Sequence, residues 1–116
     1  MKTIKVTTDN KISVIDVNFH DFRSIQQAIG GHFETVRTQL MADYFKDPSV
    51  IMLVDEEGLV KELPMNAVGS ALYRGVIAGD LIFAKTKGED IIAPENAEAL
   101  KDRLLDTFDG LLKEEG

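Results

Sequence analysis

Val50-Ile-Met-Leu-Val54, followed by Asp55-Glu-Glu-Gly58, Leu59-Val-Lys-Glu62 and Leu63-Pro-Met-Asn66, decides how this chain folds. An uninterrupted apolar run of strand length, rich in β-branched side chains, predicts a strand buried on both faces. Asp55 to Gly58 ends it, because carboxylates tolerate tight turns and Gly58 can take a positive φ. The economical continuation is a second strand over Leu59 to Glu62, joined to the first by an acidic reverse turn. That strand stops at Pro64, which has no N–H to give to a ladder and biases Leu63 to an extended backbone. Asn66 then caps a short helix over Ala67 to Tyr73, with Val68 and Leu72, and Tyr73 beside them, on one face and Gly75 as its stop.

Towards the N-terminus, Thr3 to Thr7 and Ile12 to Val17 alternate around the turn residues Asp9-Asn10-Lys11, which predicts a β-hairpin. Its apolar face needs a cover. Asp21 as N-cap, Phe22, Ile25 and Ile29 at helical spacing, and Gly30-Gly31 as a stop predict a helix from Phe22 to Ile29. Phe33 to Arg37 has strand propensity. Gln39 to Ser49 carries Leu40, Met41, Tyr44 and Phe45 at helical spacing but runs into Asp47-Pro48. It is expected to be a loop with a helical turn, packed over an open sheet face rather than serving a functional role.

Towards the C-terminus, Gly79-Asp80 precedes a strand over Leu81 to Ala84. Lys85 to Glu89 reads as a charged turn, and Asp90 to Ala93 as a brief extended piece. Pro94 suits the first turn of a final helix, Glu95 and Glu98 complement its positive end, and Ala97, Leu100, Leu104, Phe108 and Leu111 form an apolar stripe. Together these elements predict one α+β domain over residues 1–116. The sheet is mixed and largely antiparallel, of about five to seven strands with two or three helices, and the C-terminal amphipathic helix packs on it.

Composition narrows the chemistry. The chain has 116 residues, no Cys and two His, so disulfides and thiolate chemistry are excluded and no metal site is expected. No apolar run approaches the length that crosses a bilayer, and Met1-Lys-Thr-Ile-Lys-Val lacks the apolar core of a signal peptide, so a cytoplasmic protein without membrane contact is expected. A net charge of -7 argues against direct nucleic-acid binding, which runs on Lys and Arg.

No GxGxxG, Walker A, HExxH, GxSxG or CxxC pattern occurs, and neither Ser24 nor Ser70 has a His close in sequence. No cofactor is expected. Asp55-Glu56-Glu57 lacks the alternating spacing of a calcium loop. The residues with binding chemistry cluster around two turns: Lys61 and Asn66 in one, Tyr73, Arg74 and Asp80 around the other. Tyr73 and Arg74 offer an aromatic face and a guanidinium to a planar or anionic group. Each has a structural role as its alternative, a core Tyr beside a solvated Arg, a cap for Asn66, a turn for Asp80.

Gly30-Gly31, Glu34 and Val36, Val54-Asp55-Glu-Glu-Gly58, Lys61, Leu63-Pro64, Asn66, Ala71 and Gly79-Asp80 follow one another in an order that resembles the domain of unknown function 3846 family, small proteins of bacteria, phages and other mobile elements. The likeness spans about Ile25 to Phe83, and the chain departs from it in the long Thr38 to Ser49 stretch and the acidic C-terminal helix. The resemblance implies an accessory cytoplasmic protein encoded by a phage, plasmid or prophage, and it brings no catalytic residues. A non-catalytic binding or interaction protein is therefore expected, its protein partner unspecified. The alternative is a small-ligand or nucleotide-binding domain, conceivably an enzyme, that uses Glu34, Lys61, Asn66, Tyr73, Arg74 and Asp80.

Overall fold

A computed structural model describes residues 1–115. The N-terminal hairpin forms as β1 (Lys2–Val6) and β2 (Lys11–Asp16), paired antiparallel with Thr3 opposite Ile15. Helix α1 (Phe22–Ile29) starts at Asp21, whose carboxylate accepts from the Arg23 N–H, and ends at Gly30 with φ 90°. A left-handed residue at that position closes the last turn, and glycine adopts it without steric cost. Strand β3 (Phe33–Val36) follows directly.

Where a loop with a helical turn was predicted, Gln39–Phe45 is a helix, α2. Thr38 explains it, because its hydroxyl accepts from the Met41 N–H at the start of the helix and donates to the Leu72 carbonyl. Met41 is fully buried, and the Phe45 ring meets Phe83 edge-on at 5.6 Å between centroids. Tertiary packing therefore stabilises a segment too short to be helical alone. Lys46, at φ 55°, ends it before Asp47-Pro48.

Strand β4 (Val50–Asp55) is buried at every residue. The predicted strand at Leu59 to Glu62 does not form, for a topological reason. β3 pairs with one edge of β4 and β5 (Leu81–Lys87) with the other, so no edge is left for the segment that follows. Residues 56–62 instead coil into consecutive turns, with the Lys61 N–H donating to the Glu57 carbonyl at 2.8 Å and Leu63 to Gly58 at 3.0 Å.

Asn66 caps α3 (Ala67–Tyr73) as predicted, but Arg74, at φ 62°, ends it in place of Gly75. β5 runs three residues further into the predicted charged turn, to Lys87, and turns at Gly88 into β6 (Asp90–Ile92). The last helix, α4, spans Ala97–Thr107 with Asn96 as its cap, so Pro94 lies ahead of it rather than in its first turn. Of the predicted stripe, Ala97 and Leu104 are buried, Leu100 and Phe108 pack on the core, and Leu111 is exposed while Leu112 takes the interior position. Lys113–Glu114 adds a short strand, β7.

Among the described residues the fold is α+β, with four helices and a mixed, mostly antiparallel seven-stranded sheet. Its order is β3-β4-β5-β1-β2-β7, with β6 beside β5 and only β2–β7 parallel. The extra helix relative to the expected two or three is α2. Because side chains alternate along a strand, Val50, Met52 and Val54 of β4 face α2, α3 and α4, while Ile51 and Leu53 face α1. β4 and β5 thus hold two cores together, and the segment that links them carries Lys61, Asn66, Tyr73, Arg74 and Asp80.

Candidate functional site

Asp55 ends β4 with its carboxylate fully buried. One oxygen accepts from the Glu57 N–H at 2.9 Å, and the other is 2.7 Å from the Lys61 ammonium. That hydrogen bond and charge raise the Lys61 pKa above its ordinary 10.5. Lys61 is therefore a cation fixed in place by the loop that carries it, and Asp55 is a buried charge with a partner. Gly31 lies against this pair: a Cβ there would come within 2.8 Å of the Asp55 carboxylate. The second glycine of Gly30-Gly31 thus serves close approach, whereas the first serves the left-handed turn.

Asn66 is fully buried and fully committed. Its side-chain oxygen accepts from the Gly69 N–H at 3.0 Å, and its amide donates to the carbonyls of Val6 at 3.0 Å and Gly79 at 3.1 Å. It joins β1, the α3 cap and the turn before β5, so its chemistry is spent on the fold. Around it, the Asn66 N–H donates to the Ile77 carbonyl and the Gly79 N–H to the Pro64 carbonyl, pairing Met65 with Ala78. Asp80 accepts from the Thr8 N–H at 3.1 Å and lies 3.7 Å from the Lys5 ammonium.

Residues 56–65 are consequently a built loop, anchored at Asp55, at Gly58 and at Asn66. A Cβ on Gly58 would collide with the Ala78 carbonyl oxygen, which leaves only glycine there. From this frame Leu59, Val60 and Met65 project into solvent, 65%, 81% and 57% exposed, with Val76 at 55%. Leu59 and Val76 line a depression of about 70 Å³ whose other walls include Glu34 and Glu56. Thr8, Ile29, Gly30, Leu63, Pro64 and Asp80 line a second one of about 190 Å³.

A family model described as Domain of unknown function (DUF3846) matches residues 1–107 of the chain. The chain belongs to that family. The match reaches well beyond the Ile25 to Phe83 likeness and takes in the β1–β2 hairpin, α2 and α4, the last two being the stretches read as departures from it. Neither curated proteins nor solved structures give a match.

Of the six candidate residues, the fold brings Glu34 to one depression and Asp80 to the other, with Lys61 and Asn66 as anchors of the loop between them. Tyr73 and Arg74 line neither depression, and both are exposed, Tyr73 rather than buried with Val68 and Leu72. The strand propensity of Leu59 and Val60 hides the exposed apolar set in the sequence. A signal against a strand is present: Leu59-Val60 and Lys61-Glu62 are adjacent pairs, and a half-buried strand alternates.

A larger groove, about 220 Å³, lies between the end of α2, β5 and the start of α4, with Phe45, Val50 and Leu100 in its wall. Lys85 in this groove is held by Asp47 at 2.7 Å and Glu95 at 3.3 Å. Hydrogen bonds from Lys85 and then Ser49 hold the Asp47 carboxyl down to about 2. Arg103 stacks over the Tyr44 ring at 4.6 Å and donates to the Tyr44 carbonyl. Among the described residues no group of three or more His, Asp or Glu is placed to hold a metal ion, and no helix is long and apolar enough to cross a membrane.

Proposed function

We propose that this chain is a non-catalytic interaction protein whose binding surface is the loop from Glu56 to Met65 together with Val76. The observation that carries this reading is the exposure of Leu59, Val60, Met65 and Val76 on backbone that is itself fixed by the Asp55–Lys61 pair and by Asn66. Large aliphatic side chains held in water on a rigid loop gain free energy when a partner covers them, and rigidity keeps the ordering cost of that step low. The candidate residues that the loop recruits act as its supports, which also suits a binding role without catalysis. The setting consistent with the family resemblance is the cytoplasm of a bacterium that carries a phage, plasmid or prophage.

A groove lined by Phe45, Val50 and Leu100 favours a second reading, a small-ligand or nucleotide-binding domain. The cations there are already engaged, Lys85 by two carboxylates and Arg103 by Tyr44, which leaves a phosphate little to bind.

Affinity capture from the native cell, read by mass spectrometry for both proteins and small molecules, tests the proposal when the parent chain is compared with a Leu59→Ser/Val60→Ser variant. A protein enriched by the parent and lost from the variant supports it. Equal capture by both removes the loop as the surface, and a small molecule that follows the parent and a Lys85→Ala variant unequally supports the groove instead.

A further inference from the structure

The exposed loop stands beside two carboxylates that the rest of the protein does not use. Glu34, an exposed residue of β3, and Glu56, the first residue after β4, wall the same depression as Leu59 and Val76. Among the described residues neither carboxylate takes part in an ion pair, whereas the Asp55 carboxylate next to them is neutralised by Lys61. The depression itself is therefore more polar than apolar, with Glu34 and Glu56 in its wall and the exposed aliphatic side chains of Leu59 and Val76 beside them.

We propose that it receives a lysine or arginine side chain of a partner polypeptide. The alkyl stem would lie along Leu59 and Val76 and the charged head would reach Glu34 and Glu56, while aliphatic neighbours in the partner cover Val60 and Met65. Long basic side chains combine those two chemistries in one group, and a depression of about 70 Å³ suits a single stem rather than a whole small molecule. Charge decides between occupants. A second copy of this chain, at net -7, would bring like charge to these carboxylates, whereas a basic segment is attracted to them from a distance. A bare metal ion would gain nothing from the exposed Leu59 and Val76 beside the carboxylates. The inference rests on the loop surface proposed above and adds the chemistry of its partner.

A display library of random short peptides, selected in parallel on three full-length proteins, tests it. These are the parent, Glu34→Gln/Glu56→Gln and Leu59→Ser/Val60→Ser, each checked by a thermal melt. The parent should enrich peptides that join Lys or Arg to aliphatic residues. Such a peptide should lose about tenfold in affinity on the carboxamide variant and weaken as salt is raised. If the enriched peptides carry aliphatic residues without basic ones, or bind the carboxamide variant as tightly as the parent, the cation assignment is overturned while the loop surface stands. If the parent enriches nothing, or enriches the same peptides as Leu59→Ser/Val60→Ser, the loop surface itself is overturned.

Discussion

Two consecutive stretches of this chain are both rich in aliphatic residues and end up in opposite surroundings. β4, Val50–Asp55, has a strand on each side and a helical layer on each face, and none of its residues is exposed. The loop after it leaves Leu59, Val60 and Met65 mostly in water. Hydrophobicity alone does not separate them. A strand has two edges to offer, and β3 and β5 occupy both edges of β4, so topology decides which apolar residues stabilise the fold and which remain free for a partner.

The largest effects should come from the buried side of that comparison. Leu53→Ala empties a fully buried site against α1, and Leu104→Ala does the same on the opposite face beneath α4; each should lose about 2 to 5 kcal/mol in urea unfolding. A loss under about 1 kcal/mol at Leu53 would mean that β4 is not the shared wall of the two cores. Next comes the hinge between strand and loop. Asn66→Ala removes a helix cap and strands the Val6 and Gly79 carbonyls, at a cost of about 2 to 4 kcal/mol. Asn66→Asp keeps the capping oxygen and loses the donors, so it should fall between alanine and the parent; if it matches the parent, the amide donors contribute nothing.

A smaller effect is read from acid. The Asp47 pKa drops from an ordinary 3.8 to about 2, so its stabilising contribution is complete above 3.8 and is lost as pH falls toward about 2. Asp47→Asn should be less stable than the parent near neutrality, and the gap should close across that window. A gap that stays constant between pH 4 and 2 would show that the Lys85–Asp47 pair at the end of α2 is not titrating there.

Most of the fold was legible where a local signal and its tertiary context agree. Asp21 with Gly30, and Asn66 before Val68 and Leu72, are caps and stripes that chain neighbours suffice to define. The sequence is silent where distant residues arbitrate. Thr38 makes a helix of Gln39–Phe45 partly through Leu72, and Leu59 to Glu62 fails to pair because Leu81–Lys87 occupies the edge of β4. For the site, the sequence places Lys61, Asn66 and Asp80 together through a hairpin that does not form, whereas the fold joins their segments through the Asp55–Lys61 pair and the bond from Asn66 to the Gly79 carbonyl. Their commitment to internal partners was not legible, because those partners, Val6, Thr8 and Asp55, are set by register. Arg74 illustrates the limit: the sequence points to Gly75 as the stop of α3, and Arg74 takes that place with a left-handed backbone.

The smallest expected effect is the most direct test. Urea unfolding of Leu59→Ser/Val60→Ser should reproduce the midpoint and slope of the parent within about 0.5 kcal/mol, because neither side chain leaves water on folding to the extent that Leu53 does. A loss approaching that of Leu53→Ala would contradict the account, since it would make the loop part of the core and leave no apolar surface for a partner.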